Sequence, residues 1–356
     1  MNNLIELLFL PLVVAALISY ISTPPVIRFA KKLGIIDDPL VNKHPKVTHT
    51  YPTPRGGGVA IFLGVAVAAL IFLPLDKHLI GILTGALILI ILGVVDDKYN
   101  LHPYIRLLVQ FIAVLFPIAS GIGISFINIP TSGIVDLSNP QITFYFLGEQ
   151  RSIWILSDLF ALFWIVILMN FLNMGAKGID GQLPGVTAIA ALVITTLSFR
   201  FSGDITEWPV TILAAITAGA FLGFLPWNSF PQRIMPSFGG SNLAGYLLGV
   251  LSILSTAKVG TLMVVLGIPL IDTLYTIIRR ILSGKSPVWG DRGHLHHRLL
   301  DAGLTKQQVV FFYWGTTLLL GIIALKLNAS FKFYTMIGVA VFIGGLLLWL
   351  TRKEKQ

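Results

Sequence analysis

Long apolar segments alternate with short polar loops along the whole chain. A helix needs about 20 mostly apolar residues to cross a hydrocarbon core of about 30 Å. We predict eleven membrane-spanning helices, near residues 4–22, 57–75, 79–95, 106–124, 153–173, 184–200, 208–226, 242–256, 259–280, 308–326 and 332–350. The pattern predicts an all-α, polytopic integral membrane protein in which residues 1–356 form a single transmembrane domain.

The composition agrees with this class and narrows the search for chemistry. Of the 356 residues, 55% are hydrophobic and only 12% are charged, so each polar cluster between apolar segments is a candidate site. The chain has no cysteine, which excludes disulfides, thiolate metal ligands and a cysteine nucleophile. The first apolar segment lacks a basic leader and a small-residue cleavage signal, so we expect it to be retained as a span.

Basic residues predict the orientation of the spans, because loops rich in lysine and arginine stay on the cytoplasmic side. With the N-terminus outside, the inner loops and the C-terminal tail hold 19 of the 25 lysines and arginines. The bias therefore predicts an external N-terminus and an internal C-terminus. It also accounts for much of the net charge of +9 without any further function.

Five polar motifs share this basic face. They are TPRGGG (53–58), VVDDKYNL (94–101), NMGAKGIDGQLPG (173–185), PWNSFPQRIMPSFGGSN (226–242) and WGDRGHLHHRL (289–299). A transporter would more typically carry charged residues in mid-span and an internal repeat, and neither feature is apparent. Motifs at the ends of spans instead indicate an enzyme that joins a water-soluble substrate to a lipid at the membrane surface.

Asp96 and Asp97 end an apolar helix, where the helix dipole is negative and carboxylates are unfavourable. They could be solvated acids neutralised by Lys98 or Arg106. Alternatively, they are hard oxygen ligands for Mg²⁺, the usual companion of substrate phosphates. The second interpretation explains better why two acids occupy an unfavourable position.

Two glycine-containing loops each allow two interpretations. In NMGAKGIDGQLPG, glycines permit turns whose exposed amides bind anions, and Asn173 and Asp180 suit hydrogen bonds to a nucleotide base or ribose. Glycines are also ordinary in a short turn between helices. In TPRGGG, Arg55 could contact a phosphate, although the glycines are better explained by close packing at the start of the second span.

The histidine motif is the most diagnostic of the five. His294, His296 and His297 could bind zinc, but no cysteine and no suitably spaced acid accompanies them. Flanked by Asp291, Arg292 and Arg298, these imidazoles suit a phosphate-rich ligand and could also transfer a proton. A merely solvated loop is the remaining interpretation.

These motifs, in this order, resemble the polyprenyl-phosphate N-acetylhexosamine-1-phosphate transferases, which start bacterial cell-wall and surface-polysaccharide lipid intermediates. The resemblance spans nearly the whole chain and rests on PTPRGGGVAIF, LGVVDDKYNL, the N-to-DG loop, FLPWNSFPQRI, IPLIDTLYTIIRR and DRGHLHHRLLDAGLT. The HLHHRLL form and the eleven spans are more similar to the enzymes that use UDP-N-acetylglucosamine than to the translocase that uses UDP-N-acetylmuramoyl-pentapeptide.

The resemblance implies transfer of a sugar 1-phosphate from a UDP-sugar to a polyprenyl phosphate, expected to be undecaprenyl phosphate, with release of UMP. It implies dependence on Mg²⁺, with Mn²⁺ as the alternative ion, and a cytoplasmic active site in the cell (inner or plasma) membrane. The expected partners are the two substrates and the bilayer. A homodimer is compatible with the resemblance, and no nucleic acid is expected.

Candidate site residues follow position by position. Asp96 and Asp97 match the family's acidic pair, proposed to bind metal and to place or deprotonate the lipid phosphate; Asp180 matches a nucleotide-contacting acid, and Asn228 the asparagine of the FLxxN segment. The predicted catalytic residues are Asp96, Asp97, His294, His296 and His297, with metal bound by Asp96 and Asp97. The predicted substrate-binding residues are Arg55, Asn173, Lys177, Asp180, Asn228, Arg292 and Arg298.

Two positions depart from the family pattern. Lys177 stands where the first acid of NxxDGxDG belongs, with one extra residue before it. Phe238 stands at the aspartate of MGDxGS, a metal ligand in the family, while Gly240 and Ser241 are retained. Either Asp96 and Asp97 hold the metal with phosphate oxygens, or Lys177 supplies part of the missing positive charge, or the standard reaction has been lost.

Three functional classes follow from these patterns. The enzyme interpretation predicts UMP release that requires both a lipid phosphate and a UDP-sugar. A catalytically silent binding protein would bind the UDP-sugar without turnover. The transporter is the third class, and its expected mid-span charges and internal repeat are not apparent.

Overall fold

The computed structural model describes residues 5–43, 47–129, 133–146, 149–201, 203–255, 258–287 and 292–353. These residues form a helical bundle. Its helices are α1 (Leu10–Lys32), α2 (Gly58–Phe72), α3 (Lys77–Tyr99), α4 (Pro103–Ala119), α5 (Ile155–Gly175), α6 (Gln182–Phe199), α7 (Trp208–Asn228), α8 (Ser237–Leu254), α9 (Lys258–Val265), α10 (Gly267–Leu282), α11 (Leu295–Asp301), α12 (Lys306–Lys326) and α13 (Ala329–Lys353).

All eleven predicted segments contain helix, but fewer helices are long enough to span a bilayer. In the described part of the chain, eight helices have the required length and apolar composition, and α9 with α10 adds a ninth that is bent by 78°. Helices α2 and α4 are apolar but shorter. The 15 residues of α2 rise only about 22 Å at about 1.5 Å per residue. The protein is a multi-pass membrane protein, and the count of eleven spans stays a prediction.

The predicted all-α class agrees with the mostly helical structure, and the described residues add only three short antiparallel strand pairs. Strands β1 (Ile36–Asp37) and β2 (Thr53–Pro54) pair in the first polar loop. The segment between α4 and α5 contains two hairpins, β3 (Phe126–Ile129) with β4 (Gly133–Asp136) and β5 (Gln141–Phe146) with β6 (Glu149–Trp154). Segments such as QITFYF carry the β-branched and aromatic residues that favour strands.

Helix α8 lies at the centre of the bundle, with 94% of its apolar window buried, against 17% for α13 at the periphery. Glycines allow this position. A Cβ on Gly245 would lie 2.4 Å from Met169 Cα, and one on Gly249 would lie 3.2 Å from Ile165 Cα. The backbones of α8 and α5 therefore pack in direct contact, which fixes the start of α8 near the end of α5.

Successive spans alternate in direction when α9 and α10 are counted as one bent span, so one end of the bundle collects the polar motifs. This site end contains the C-terminal ends of α1, α3, α5, α7 and α10 and the N-terminal ends of α2, α4, α6, α8 and α12. The two hairpins between α4 and α5 lie at the opposite end. The prediction that the five motifs share one face therefore agrees with the fold for the residues that the structure describes.

Candidate active site

The loop between α5 and α6, residues 176–181, lies at the centre of the candidate site. Gly181 has a left-handed backbone with φ of +86°, a conformation that glycine adopts at little cost. Gln182 closes the loop, because its side chain donates to Gly175 O and accepts from Ile179 N. Helix α5 therefore ends and α6 begins around a compact turn whose residues face several other motifs.

Asp97 is buried at the end of α3, at 7% exposure. Arg55 Nη2 lies 3.0 Å from Asp97 Oδ1, and Lys177 is close enough to stabilise the same negative charge. Asp97 Oδ2 forms no hydrogen bond among the described residues, although the Ser237 side chain lies close to the carboxylate. The TPRGGG motif, the acidic pair and the central loop therefore meet at one carboxylate.

Asp96 is held mainly by its own helix end. Its Oδ1 accepts a hydrogen bond from Leu101 N at 3.1 Å, and Arg106 Nη1 lies 3.4 Å from its Oδ2. Asn100 ends α3 in a left-handed conformation. Arg106 rather than Lys98 therefore neutralises Asp96, and Lys98 instead lies over the ring of Tyr99.

The glycines of TPRGGG have the packing role that the sequence favoured. A Cβ on Gly57 would lie 2.6 Å from Met235 O, and one on Gly58 would lie 2.4 Å from Gly240 N. Close approach of α2 to the start of α8 requires both glycines. This packing places Arg55, two residues earlier, beside Asp97.

Asn173 connects the central loop to α8. Its Oδ1 accepts hydrogen bonds from Lys177 Nζ at 2.5 Å and from Ser241 Oγ at 2.8 Å. Phe238, which replaces the family's aspartate, is 4% exposed, and the Arg106 guanidinium lies 5.1 Å from its ring centroid. A cation over an aromatic ring thus stands where the resemblance implies a carboxylate.

Asp180 and Asn228 form a second part of the site. Asp180 is 4% exposed; its Oδ2 lies 3.5 Å from Lys306 Nζ, and its Oδ1 has no hydrogen-bond partner within the described ranges. Burial and the charge of Asp180 raise the pKa of Tyr51, which places Tyr51 in the same neighbourhood.

Asn228 Oδ1 accepts from Gly181 N, and its Nδ2 donates to Gln232 Oε1 and Ile234 O. The Asn228 amide therefore holds the central loop in place.

The histidine motif is anchored by a residue that the sequence analysis did not assign. Asp272 on α10 is fully buried; its Oδ2 lies 2.9 Å from His294 Nδ1, and its Oδ1 accepts from Leu295 N at 2.7 Å. The expectation of no charged residue inside a predicted span is wrong at this position. An ionisable residue in an apolar segment is by default a functional candidate, so this signal was available.

His296 connects the histidines to the central loop. A Cβ on Gly178 would lie 1.9 Å from His296 Nε2, so the ring occupies the space that a larger residue would fill. The ring stacks on His294 at 5.6 Å and lies 4.4 Å from His297 between centroids. Burial, followed by the two neighbouring histidines and Arg292, lowers the pKa of His296 well below its usual value. The imidazole is therefore neutral near pH 7.

The two arginines of the motif have different surroundings. Arg292 forms an exposed pair with Asp301, at 2.6 Å between Nη2 and Oδ1. Arg298 is buried at 4% exposure and donates to Gly293 O, Leu347 O and Thr351 Oγ1. In this conformation Arg298 attaches the C-terminal helix to the histidine motif, and its predicted substrate contact has no support from the geometry.

The fit of the site to a divalent cation rests on Asp97. A buried carboxylate oxygen without a hydrogen-bond partner suits a hard oxygen-seeking ion. No cluster of three or more histidines, aspartates or glutamates arranged for a metal occurs among the described residues. The protein can thus supply Asp97 and the partly engaged Asp96, and phosphate oxygens would have to complete the coordination. A zinc site at the three histidines has no support in this part of the chain.

The fold and the site together define a class, an integral membrane protein with a cluster of buried acidic, basic and histidine side chains at one end of a helical bundle. Residues 79–256, half of the chain, match the sequence pattern of glycosyl transferase family 4.

Individual relatives match over most of their length. The chain is 31% identical over 327 residues to the probable undecaprenyl-phosphate N-acetylglucosaminyl 1-phosphate transferase of Bacillus subtilis, which covers 89% of this chain and 84% of the relative. It is 28% identical over 364 residues to the decaprenyl-phosphate N-acetylglucosaminephosphotransferase of Mycobacterium tuberculosis, covering 94% and 85%. The undecaprenyl-phosphate α-N-acetylglucosaminyl 1-phosphate transferase of Thermotoga maritima is 27% identical over 324 residues, covering 90% and 89%. The chain belongs to glycosyl transferase family 4, which confirms the predicted resemblance.

Proposed function

We propose that this enzyme transfers N-acetylglucosamine 1-phosphate from UDP-N-acetylglucosamine to undecaprenyl phosphate, releasing UMP and starting a cell-wall or surface-polysaccharide lipid intermediate. The observation that carries the proposal is the central loop. Lys177 lies near Asp97, Gly178 contacts His296, Asp180 faces Lys306, and Gly181 is bound by Asn228. One short turn thus meets the acidic, histidine and asparagine motifs, as a substrate with two phosphates, a sugar and a nucleoside requires.

The reaction is a phosphoryl transfer. An oxygen of the lipid phosphate forms a bond to the sugar-bearing phosphorus, and the bond from that phosphorus to the bridging oxygen breaks, so the bridging oxygen leaves with UMP. A phosphate monoester has a second pKa of about 6 and is mostly dianionic at neutral pH. The residues therefore chiefly align anions and offset their repulsion.

The site's charges suit this task. Arg55 and Lys177 supply positive charge beside Asp97, and we assign them to the substrate phosphates. Asp97, with Asp96, would hold a Mg²⁺ ion, or Mn²⁺ as the alternative, together with phosphate oxygens. When bound, such an ion neutralises charge that develops on the transferred group.

The remaining motifs are assigned to the nucleoside, diphosphate and sugar of the UDP-sugar donor. We assign Asp180, whose Oδ1 is buried and unpaired within the described ranges, to the nucleoside. The three histidines, of which His296 contacts the loop at Gly178, are assigned to the diphosphate and sugar, with His296 neutral and able to donate or accept a hydrogen bond. A homodimer stays a prediction.

We further propose eleven spans, an external N-terminus and a cytoplasmic site in the cell membrane. Support comes from the eleven helical segments and from the collection of basic loops at the site end. Because the chain has no cysteine, single-cysteine variants need no other change. Val41→Cys at the site end and Tyr145→Cys at the opposite end are 83% and 78% exposed positions. A membrane-impermeant thiol reagent should label only Tyr145→Cys in intact cells, and labelling of Val41→Cys there would overturn the orientation.

The function itself is tested with purified protein, undecaprenyl phosphate, Mg²⁺ and UDP-N-acetylglucosamine, with UDP-N-acetylgalactosamine and UDP-glucose as competing donors. We expect UMP release that requires both substrates and a lipid product with the mass of the N-acetylglucosamine diphosphate adduct. A second candidate function is that of a catalytically silent binding protein. It is motivated by Phe238, which stands where the family pattern has a carboxylate. Donor binding without UMP release would support that candidate and contradict the transferase.

Metal dependence is tested on the two departures. The compensation hypothesis is that Lys177 supplies positive charge in place of the metal contact that the missing aspartate would have made. Lys177→Ala should then raise the Mg²⁺ concentration needed for half-maximal UMP release. Phe238→Asp should lower it. A simple phosphate contact would instead lower the rate at every Mg²⁺ concentration, by about 1.5 to 3 kcal/mol. If the curves of UMP release against Mg²⁺ concentration are parallel for the wild type, both single variants and the double variant, the compensation hypothesis is excluded.

A further inference from the structure

A groove and a cavity run along one outer face of the bundle, and the cavity borders the candidate active site at Tyr51 and Gln232. Residues 13, 17, 20, 24, 27 and 31 of α1 alternate in steps of four and three, which places them on one helical face. Val13, Leu17 and Tyr20, with Leu222 of α7, line an apolar groove of about 280 Å³. Ile27 and Lys31 line a second cavity of about 480 Å³, nearer the site end.

Glycines of α7 shape the groove. A Cβ on Gly219 or Gly223 would lie 2.0 Å from Leu12 O or Ala16 O respectively, so the two helices pack with their backbones in contact. The larger side chains are thereby displaced to the outer flank. Val13, Leu17 and Tyr20 are 46%, 53% and 44% exposed. In a membrane-spanning helix, exposed apolar side chains contact the hydrocarbon of the bilayer. The groove therefore faces the lipid.

An aromatic pair joins the groove to the cavity. Tyr20, at the end of the groove, lies 5.3 Å from Trp227 between ring centroids. The guanidinium of Arg233 lies 5.3 Å from the Trp227 ring, and Arg233 also lines the cavity with Lys31. Aromatic rings beside basic groups are typical of the boundary between hydrocarbon and headgroups. Apolar groove, aromatic boundary and basic cavity thus follow one another along α1.

The charge of the cavity favours an anionic ligand. Its lining contains two cations, Lys31 and Arg233, and no carboxylate. Tyr51 adds a polar rim and donates its hydroxyl hydrogen to Gln232 O. Neither cation is among the residues assigned to the candidate active site, although Tyr51 and Gln232 also border the second part of that site. We propose that this surface binds an anionic phospholipid of the bilayer, with the phosphate between Lys31 and Arg233 and an acyl chain along the groove between α1 and α7.

The test uses native mass spectrometry of the full-length protein with phosphatidylglycerol or with phosphatidylcholine of the same chains. We expect preferential retention of phosphatidylglycerol. The double variant Lys31→Gln/Arg233→Gln should bind it about thirtyfold more weakly, equivalent to about 2 kcal/mol at about 1 kcal/mol per basic residue near a lipid surface. Lys32→Gln, a neighbouring exposed cation outside the cavity, is the matched control and should bind like wild type.

A second pair of variants tests the groove. Leu17→Gln should weaken retention of both phospholipids, whereas Ile21→Gln, which is 66% exposed on the same helix but outside the groove, should not. Equal binding of the two headgroups, or equal loss in Lys32→Gln, would overturn the proposal. So would a raised KM for undecaprenyl phosphate in the double variant with phosphatidylglycerol retention intact, because that result assigns the surface to the acceptor. UMP release by the wild type, measured separately, tests the transferase function itself.

Discussion

Asp272→Asn should lower turnover while preserving the fold, because the change alters one proton rather than the packing. In the wild type, Oδ1 of Asp272 accepts from Leu295 N, and Oδ2 faces His294 Nδ1 at 2.9 Å. A carboxylate only accepts, so Nδ1 of His294 carries the proton and Nε2 is free to accept. An asparagine that keeps the bond to Leu295 would present its amide nitrogen to His294 and favour the opposite tautomer.

The expected magnitude follows from the hydrogen bond that is lost. Asp272 is fully buried, so solvent does not replace the missing charge. A hydrogen bond to a charged group contributes about 1.5 to 3 kcal/mol. At about 1.36 kcal/mol per tenfold change, kcat for UMP release should fall about 10- to 150-fold. KM for the UDP-sugar should change less if His294 acts mainly in the transition state.

Steady-state UMP release and thermal unfolding of the same preparations provide the measurement. Asp301→Asn is the matched control, since Asp301 is an exposed carboxylate close to the motif and pairs with Arg292. Exposed pairs contribute at most about 1 kcal/mol, so the control should stay near wild type. A kcat for Asp272→Asn within about twofold of wild type, at unchanged thermal stability, would refute the role of Asp272. A lower melting temperature with normal turnover of the folded fraction would show that Asp272 only stabilises the fold.

Three further predictions concern the same end of the bundle. Asp97→Asn should keep the fold and lower UMP release by at least about 100-fold, and near-normal turnover would exclude a direct role. Because burial lowers the pKa of His296, the unfolded chain takes up a proton more readily than the folded chain below about pH 6.5, so stability is full above that pH and is lost as pH falls. His296→Gln should therefore reduce the fall in melting temperature between pH 7.5 and 5.5, and an equal fall would contradict the lowered pKa. Gly178→Ala should displace His296 and cost about 1 to 3 kcal/mol. Gly315→Ala, whose added Cβ would meet open space, should not destabilise the protein, and thermal unfolding of both variants measures the difference.

Hydropathy alone predicted most of the fold. Each apolar segment is helical because a buried or lipid-facing backbone must satisfy its own hydrogen bonds. Helix lengths were less predictable, since caps and close packing set them. Helix α2 begins only where Gly57 and Gly58 approach Met235 and Gly240, and these contacts lie far apart in sequence. The hairpins between α4 and α5 were missed because a search for apolar runs ignores short alternating segments.

The sequence predicted which motifs form the candidate site but not which of their residues are in contact. The sequence identified Asp97 and His296, but not that Gly178 contacts one motif while Lys177 lies near the other. Arg298 illustrates the limit of this approach. Basic residues beside histidines indicate anion binding on average, yet this guanidinium is used by the C-terminal helix. Only tertiary structure distinguishes the two uses.

The two departures from the family pattern act on the same electrostatic problem. Relative to the resemblance, Lys177 replaces a negative charge with a positive one and Phe238 removes a negative charge, a shift of three units in a site that also contains Arg55 and Arg106. Both donor and acceptor are anions, and a buried site strengthens each charge interaction relative to water. The shift therefore favours binding of the two phosphates without a third carboxylate. Arg106 can lie over the Phe238 ring because no carboxylate competes for it there. Loss of a metal-ligating acid is thus compatible with phosphoryl transfer when neighbouring cations bind the phosphates directly.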